Sequence, residues 1–337
     1  MQVHKTLLLL AALALTSCGA PGAKNTSTAK PVVSYQDAPR RDGFESILVA
    51  LPASKAAEQA LKGLKYEIEE DFDVVTLTVD KTTKVPDLAK AIADARPSAV
   101  VLMNNPTLAL YYHYQKSVGG KAPPALAMLS SFLADVVGKL ENTGGITYEV
   151  PAVTVFPSMR DYISQRIERV GVIHRAALGG FVAKQRALAT TANIELVSVE
   201  IVDAPKAKDV EKAMRTLRLQ GIDAVWVLND NRLLAPEVLP GWKRALSSGA
   251  ALPVVVGIRP LIDAQHHFGS FAILPSYDGL GSQAGEMLLN WADENWQGVS
   301  GDVQEPVAVE VVVDIGEVRK HFSLKEDMVG SIDVIVE

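Results

Sequence analysis

Short apolar segments alternate with amphipathic helical segments along most of the chain after residue 44, and this alternation limits the possible folds more than any other feature. Residues 46–51 (SILVAL) and 99–103 (AVVLM) are continuously apolar, which is typical of strands covered on both faces. Residues 55–65 place alanines and leucines at helical spacing. Because right-handed crossovers place helices on both faces of a parallel sheet, the pattern predicts an α/β fold.

The alternation passes through two cycles of similar layout, without a close residue repeat. The first cycle occupies residues 44–150 and the second occupies residues 158–274. A long helix is predicted over residues 277–296 and a last strand over residues 307–313, both inside a C-terminal segment, 275–337. A chain of 337 residues is long enough for two such units. We therefore expect two Rossmann-like lobes with parallel sheets, joined by crossover segments, with the C-terminal segment crossing between them.

The N-terminus has the pattern of a secretion signal. His4 and Lys5 precede an apolar run over residues 7–15, and Cys18 follows two small polar residues. Nine apolar residues rise about 14 Å as a helix, about half of the bilayer core, so a membrane-spanning helix is a poor interpretation. Residues 1–17 are therefore predicted to be a signal peptide.

The tetrapeptide of residues 15–18 (LTSC) resembles the bacterial lipobox, which implies that Cys18 is acylated and becomes the first residue of the mature chain. The alternative is a plain secretory peptide with an incidental cysteine. Residues 18–43 are poor in large apolar side chains and are predicted to form a flexible tether behind the lipid. In enterobacteria-like sorting, Gly19 favours the outer membrane. No other stretch approaches 18 consecutive apolar residues, so the acyl group would be the only membrane attachment.

Charge and cysteine content exclude several function classes. The chain has 33 Lys and Arg against 39 Asp and Glu, a net charge of −6 without a basic block, so a nucleic-acid partner is not expected. The single cysteine excludes an internal disulfide and a thiolate metal cluster. The sequence lacks the GxSxG nucleophile elbow, the GxxxxGK[ST] phosphate loop and the HExxH metal pair. We therefore expect no catalysis, no cofactor and no metal, and a Rossmann-like enzyme is only a third interpretation.

Polar side chains follow several predicted strands, at the carboxyl ends where open α/β sheets bind ligands. Amides and hydroxyls can hydrogen-bond a small polar solute, while Arg and Asp can hold a carboxylate and an ammonium. The alternative is ordinary turn and helix-cap chemistry, which favours the same residue types. The candidate ligand-binding residues are Ser54, Asn104, Asn105, Thr107, Ser130 and Ser131 in the first lobe, and His174, Arg175, Asn229, Asp230, Asn231, Arg259, Tyr277 and Asp278 beyond it.

Two other clusters have simpler interpretations. His266 and His267 are adjacent in a predicted turn, so a surface pair is favoured over a metal site. Tyr111 and Tyr114 lie on a predicted helix and are expected to bury their rings, with a cleft-lining aromatic as the alternative.

A lipobox, a polar tether and two α/β lobes resemble the type I periplasmic solute-binding lipoproteins of ABC importers, and more narrowly the family linked to aromatic and branched amino-acid uptake. The similar stretches are residues 96–107 (RPSAVVLMNNPT), 144–147 (GGIT), 168–174 (ERVGVIH), 221–231 (GIDAVWVLNDN) and 276–287 (SYDGLGSQAGEM). The resemblance implies that solute binding closes the lobes about crossover segments, here residues 148–157, 274–278 and 297–306.

The resemblance also implies a function. We expect a lipid-anchored, non-catalytic receptor in the bacterial cell envelope, facing the periplasm. It would deliver a small polar metabolite, with an amino acid as one candidate, to an inner-membrane ABC permease. The turns at residues 51–54, 104–107 and 129–131 depart from the family at ligand-facing places. The alternative is therefore an envelope lipoprotein with a structural or regulatory role and another envelope protein as partner, which keeps the fold but not transport.

Overall fold

The computed structural model describes residues 41–263 and 268–337, together with the backbone of Val33–Ser34. Its strands are β1 (Val33–Ser34), β2 (Glu45–Leu51), β3 (Phe72–Thr78), β4 (Ala99–Met103), β5 (Ala125–Met128), β6 (Thr143–Ile146), β7 (Arg169–Arg175), β8 (Glu195–Ile201), β9 (Ala224–Val227), β10 (Val254–Val256), β11 (Phe271–Pro275), β12 (Val303–Gln304), β13 (Val309–Asp314) and β14 (Val334–Val336).

The helices alternate with these strands. They are α1 (Lys55–Ile68), α2 (Val85–Ala95), α3 (Asn105–Val118), α4 (Leu133–Val137), α5 (Ala152–Tyr162), α6 (Gly179–Thr191), α7 (Ala207–Leu219), α8 (Leu239–Ser247), α9 (Tyr277–Asp293) and α10 (Ile315–His321), with short 3₁₀ turns at Ala176–Leu178, Arg259–Leu261 and Glu326–Ser331.

The strands form two separate seven-stranded sheets within the described residues. The first has the order β1-β3-β2-β4-β5-β6-β12, and all its neighbours are parallel except the β1–β3 pair. The second has the order β14-β13-β11-β10-β9-β7-β8, in which only β11 and β13 run antiparallel. The predicted fold class, two α/β lobes with parallel sheets, is confirmed.

Each sheet has an apolar core on both faces, which explains the continuous apolar runs. In β2, Ile47 and Val49 point into one core while Leu48 points into the other. In β9, Trp226 belongs to one core of the second lobe and Val225 to the opposite one. Successive side chains of a strand point to opposite faces, so a central strand with helices on both sides needs apolar residues at every position.

The chain passes between the lobes three times. It leaves β6 of the first sheet for α5, whose Val155 and Phe156 lie in the core of the second lobe. It returns from β11 into α9, whose Leu280 and Leu288 lie in the core of the first lobe. After β12 joins the first sheet, the chain crosses again to β13 of the second. The connections at 147–151, around residue 276 and at 305–308 are therefore short segments about which two lobes can rotate.

Two glycines allow α9 to pack very closely against α1. An ideal Cβ on Gly63 would lie 2.1 Å from the carbonyl oxygen of Asp278, and one on Gly281 would lie 2.0 Å from the carbonyl oxygen of Ala60. Because no real side chain tolerates such distances, the helix that begins at Tyr277 is fixed to the first lobe at backbone contact distance. This contact positions the second crossover.

Several elements differ from the sequence-based expectations. A helix predicted near residues 159–169 lies instead at Ala152–Tyr162, because it begins directly after Pro151 and accommodates Pro157 in its interior. Second-lobe packing therefore starts before residue 158. The strand β6 was not predicted because two of its four residues are glycines, which strands disfavour. The strands β12 and β14, with two and three residues, and the two-turn helix α10 are too short to show a period. Val33–Ser34, inside the predicted tether, pairs with β3.

Candidate functional site

Two N-cap residues bring polar side chains to the rim of the first sheet. Ser54 precedes α1 and its Oγ accepts a 3.3 Å hydrogen bond from the amide of Ala57. Asn104 precedes α3 and its Oδ1 accepts a 3.0 Å bond from the amide of Thr107, with φ at 113°. Each side chain therefore occupies the junction of a strand end and a helix N-terminus, where parallel sheets place their ligand sites.

A cavity of about 250 Å³ lies between the lobes and is lined from both of them and from two crossovers. This is slightly below the usual range of about 300–1,000 Å³ for ligand pockets, so it suits a small metabolite. The lining residues are Pro52, Ser54, Ala56, Met103, Asn104, Leu129 and Ser131 from the first lobe, Asn229 and Ile258 from the second, and Tyr148 and Tyr277 from the crossovers.

A direct hydrogen bond joins the two lobes at this cavity. The Nδ2 of Asn229, which follows β9, donates to the Oγ of Ser131, which follows β5, over 2.8 Å. Both side chains are half-buried. An amide–hydroxyl bond at this distance has ordinary geometry and contributes about 0.5–1.5 kcal/mol net. The contact can therefore separate without a large cost when the lobes rotate.

Two tyrosines on different crossovers meet at the cavity. The hydroxyls of Tyr148 and Tyr277 lie 3.2 Å apart. Burial, with the neighbouring Tyr277 as a smaller contribution, raises the pKa of Tyr148 well above its ordinary value. The Tyr148 hydroxyl therefore stays neutral over the physiological pH range and can both donate and accept a hydrogen bond.

The loop after β5 carries a second inter-lobe contact. Leu129 and Phe132 both adopt left-handed backbone, with φ of 55° and 53°. The ring of Phe132 meets that of Phe181 on α6 edge to face, with centroids 5.2 Å apart, and Phe132 packs against the core of the second lobe. The amide of Phe132 donates to Glu149 Oε1 over 2.9 Å. Strained backbone in non-glycine residues persists only where the surroundings hold it, and here these contacts do so.

The charged candidates of the second lobe are engaged in ion pairs. Arg175 donates to both carboxylate oxygens of Asp230, at 2.7 and 3.1 Å, and Asp230 is 2% exposed. Arg175 also reaches Asp203 at 3.3 Å. Arg259 lies 3.1 Å from a carboxylate oxygen of Glu310. A bidentate, nearly buried guanidinium–carboxylate pair has its strong hydrogen bonds inside the protein, so neither partner is available as a free charge.

The structure therefore brings five of the predicted residues together at the cavity, namely Ser54, Asn104, Ser131, Asn229 and Tyr277.

The other candidates lie outside the cavity lining, and ligand contact by them stays a prediction. Asn105, Asn231 and Asp278 are exposed, while Thr107 is buried and donates from Oγ1 to the Asn104 carbonyl oxygen. Ser130 is buried on the Met128 carbonyl oxygen, and the Nδ1 of the buried His174 lies 3.0 Å from the carbonyl oxygen of Arg175. These contacts are the turn and cap chemistry considered as the alternative.

Sequence reasoning missed Tyr148 and the apolar half of the lining. Tyr148 was assigned only to a crossover, yet a crossover passes between the lobes and its side chains face the gap. Met103 is the last residue of β4 and Leu129 directly follows β5, and both line the cavity. Because each closes an apolar run, the sequence pattern indicates that they belong to the core. Only the expectation that strand ends surround the cleft could have found them.

The remaining sequence-based expectations concern metal binding, membrane-spanning helices and residues away from the cavity. Among residues 41–263 and 268–337, no cluster of three or more His, Cys, Asp or Glu residues has metal-site geometry. Within that same part of the chain, no helix has the length and apolar character needed to cross a membrane. Cys18 and the His266–His267 pair lie outside the described residues. Tyr111 is buried with its hydroxyl on the Pro123 carbonyl oxygen, and Tyr114 is also buried, as predicted.

Solved structures with the same fold exist, at low sequence identity. No protein-family model matches the sequence, and no curated protein matches it significantly. The ligand-free, open structure of a substrate-binding protein with adhesive properties from Clostridium difficile is 15% identical, with a TM-score of 0.59, 87% of this chain covered and 99% of that one.

Two further structures are each 14% identical with a TM-score of 0.54 and cover 87% of this chain. One is an ABC domain in complex with L-Trp from Streptococcus pneumonia, covered over 100% of its length. The other is a conserved domain protein from Vibrio cholerae, covered over 99%. At these identities the likeness shows the fold, and the chain has the two-lobed fold of the type I periplasmic binding proteins.

Proposed function

We propose that the chain is a non-catalytic binding protein that captures a small polar solute between its lobes. The observation that carries the proposal is the composition of the inter-lobe cavity. Ser131 and Asn229 reach it from opposite lobes and contact each other, while Tyr148 and Tyr277 reach it from the crossovers. A cavity with walls on two bodies and on their connections changes shape when the bodies rotate, so its occupancy and lobe closure are linked.

The proposed capture has a simple sequence of events. A solute enters when the Ser131–Asn229 bond is broken and binds first to one rim. Rotation about the three crossovers then brings the second rim onto it, and hydrogen bonds from both lobes hold the closed form. Micromolar affinity corresponds to about −8 kcal/mol, which a few hydrogen bonds and apolar contacts in a closed cavity can supply.

We further propose that an acyl group on Cys18 attaches the protein to the cell envelope, facing the periplasm, and that the closed form docks on an inner-membrane ABC permease. The support for the anchor is the lipobox-like sequence of residues 15–18. Metabolic labelling with radioactive palmitate tests it. The wild type should carry label and sediment with membranes, while Cys18→Ser should lose both properties.

Titration of the full chain with a metabolite library, read by thermal unfolding and then by calorimetry, tests solute capture. A binding solute should raise the unfolding temperature of the wild type. Asn229→Ala should lower its affinity, whereas the matched variant Gln220→Ala, at an exposed position of the same lobe, should not. Equal effects of the two substitutions would contradict the proposed site.

A second candidate function is a structural or regulatory envelope lipoprotein that keeps the fold without transport. The contact of Phe132 with Phe181 favours it, because an aromatic side chain of one lobe packs against the core of the other and resists opening. Cross-linking in cells distinguishes the two. Recovery of a permease supports the first function, and recovery of an envelope-assembly protein from the outer membrane supports the second.

A further inference from the structure

We infer that the inter-lobe cavity takes an uncharged solute with hydrogen-bond donors and acceptors, and not a zwitterionic amino acid. The inference rests on the proposed solute capture and specifies the chemical class of the solute. The polar side chains that line the cavity are all neutral groups, namely the hydroxyls of Ser54, Ser131, Tyr148 and Tyr277 and the amides of Asn104 and Asn229.

A negative group on a solute would find no free cation at the cavity within the described residues. Arg175, at the end of β7, and Arg259, after β10, each already bind a carboxylate, Asp230 and Glu310 respectively, and neither lines the cavity. Arg232, in the turn after β9, also lies outside the lining, where it is exposed and donates to the carbonyl oxygen of Asp203. A solute carboxylate would have to compete with these internal partners. An ion removed from water without a partner costs several kcal/mol, so such binding is strongly disfavoured.

A positive group on a solute would fare no better. The carboxylates of Asp230 and Glu310 are held by the two arginines. Glu149 lines an adjoining, narrower cavity of about 20 Å³, which shares Tyr148 and Asn229 with the main one, and its Oε1 accepts a hydrogen bond from the amide of Phe132. The ammonium of an amino acid would therefore lose its hydration without gaining a carboxylate in the main cavity.

An uncharged solute would find complementary partners. Asn104 and Asn229 each offer a donor and an acceptor, and the four hydroxyls can do either. The N-termini of α1 and α3 carry a partial positive charge, but the capping side chains of Ser54 and Asn104 already accept hydrogen bonds from the amides of Ala57 and Thr107 there. Met103, Leu129 and Ile258 offer apolar contacts to the carbon skeleton. The lining is thus matched to a small, neutral, amphipathic molecule.

Matched series of probes on constant skeletons test the inference by calorimetry on the full chain. The first series is glucose, glucuronate and glucosamine; the second is 4-methylpentanamide, 4-methylpentanoate and leucine; the third is indole-3-propanamide, indole-3-propanoate and tryptophan. We expect binding in at least one series, with the uncharged member at least tenfold tighter than its charged analogues.

The outcomes separate the two proposals. A charged or zwitterionic member that binds as tightly as its neutral analogue, and is weakened by Asn229→Ala, overturns the solute class but leaves solute capture in place. Failure of every probe to bind contradicts the proposed function and the inference together.

A charge placed in the cavity provides an independent test. Asn229→Asp is nearly isosteric and adds a carboxylate, so it should weaken glucose at least fivefold and strengthen glucosamine, or do the same for the amide and the amine-bearing member of another series. Gln220→Glu adds the same charge at an exposed position at the end of α7 and should change neither affinity. Circular dichroism confirms that both variants fold, and Ser131→Ala, which adds no charge, should weaken all members of a series equally. A shift in charge preference by Gln220→Glu as large as that by Asn229→Asp would overturn the inference.

Discussion

The Nδ2 of Asn229 in the second lobe donates a 2.8 Å hydrogen bond to the Oγ of Ser131 in the first, across the cavity that both side chains line. This bond is made only when the lobes are close together. It therefore stabilises the arrangement in which the lobes are close together. A solute that displaces or replaces this bond would change the separation of the lobes.

Loss of this bond should weaken solute binding. Ser131→Ala leaves the Asn229 amide without its partner, and we expect a loss of about 1–2 kcal/mol, or about 5–30-fold in affinity. Calorimetry with the best solute measures the change, and Gln59→Ala, at an exposed position on α1 of the first lobe, serves as control. An unchanged affinity for Ser131→Ala would show that the bond takes no part in closure.

The Phe132–Phe181 contact should hold the lobes together independently of the residues that line the cavity. Because the ring centroids lie 5.2 Å apart at 81°, a double-mutant cycle with alanine should give a coupling of about 0.5–1.5 kcal/mol in the free energy of unfolding. Urea unfolding measures it. A cycle of Phe132 with the exposed Tyr66 should give no coupling, and a zero value for the first cycle would contradict the contact.

The close packing of α9 on α1 should not tolerate a side chain. Gly281→Ala places a methyl group 2.0 Å from the Ala60 carbonyl oxygen, and we expect a destabilisation of about 1–3 kcal/mol. Gly180→Ala, on α6 where a Cβ meets nothing within 4 Å, should be neutral or stabilising by about 0.5–1 kcal/mol. Chemical denaturation measures the free energy of unfolding of both variants. Similar values would mean that α9 and α1 are farther apart than the structure shows.

The buried pair of Arg175 and Asp230 should be structural. Asp230→Asn removes one partner of an ion pair whose carboxylate is 2% exposed, and we expect a loss of about 3–5 kcal/mol in the free energy of unfolding. Glu168→Gln, which breaks the exposed pair with Arg166, should cost less than about 1 kcal/mol. If Asp230→Asn changed solute affinity but not stability, Asp230 would belong to the binding site instead.

Tyr148 should make the protein sensitive to alkali. Burial raises the pKa of its hydroxyl in the folded state above the value of about 10 in the unfolded chain. The folded state therefore binds the proton more tightly, so stability is fully present below about pH 10 and is lost as pH rises above it toward the higher folded pKa. Urea unfolding between pH 9 and 11 should show a smaller decline for Tyr148→Phe than for the wild type. Tyr66→Phe, at an exposed position, should follow the wild type.

The fold could be predicted because each central strand is buried on both faces. Segments such as β4, with five buried apolar residues, are unmistakable once helices flank them. The short strand β12 could not be predicted, since it pairs with β6, more than 150 positions earlier in the sequence. The strand β6 (TGGI) contains two glycines, which strands disfavour, although its other partner, β5, is near in sequence. Tertiary contact, and not local propensity, makes them strands.

The candidate site could be predicted in part, because the sequence locates strand ends but does not show which side chains pair there. Strand ends identify where Ser54, Asn104 and Asn229 lie, because that position follows from the sheet alone. Whether a charged side chain there is free depends on its neighbours. Arg175 is satisfied by Asp230, 55 positions away in sequence, and this pairing is a property of the packed structure.

The most direct test of solute capture is the distance between the lobes with and without solute. Spin labels on Asn105→Cys and Asn231→Cys in a Cys18→Ser background occupy exposed positions on opposite rims, and pulsed electron paramagnetic resonance measures their separation. We predict that a bound solute narrows the distribution to a single short distance, and that Asn229→Ala reduces this effect. A distribution that stays the same at saturating solute would contradict capture by lobe closure.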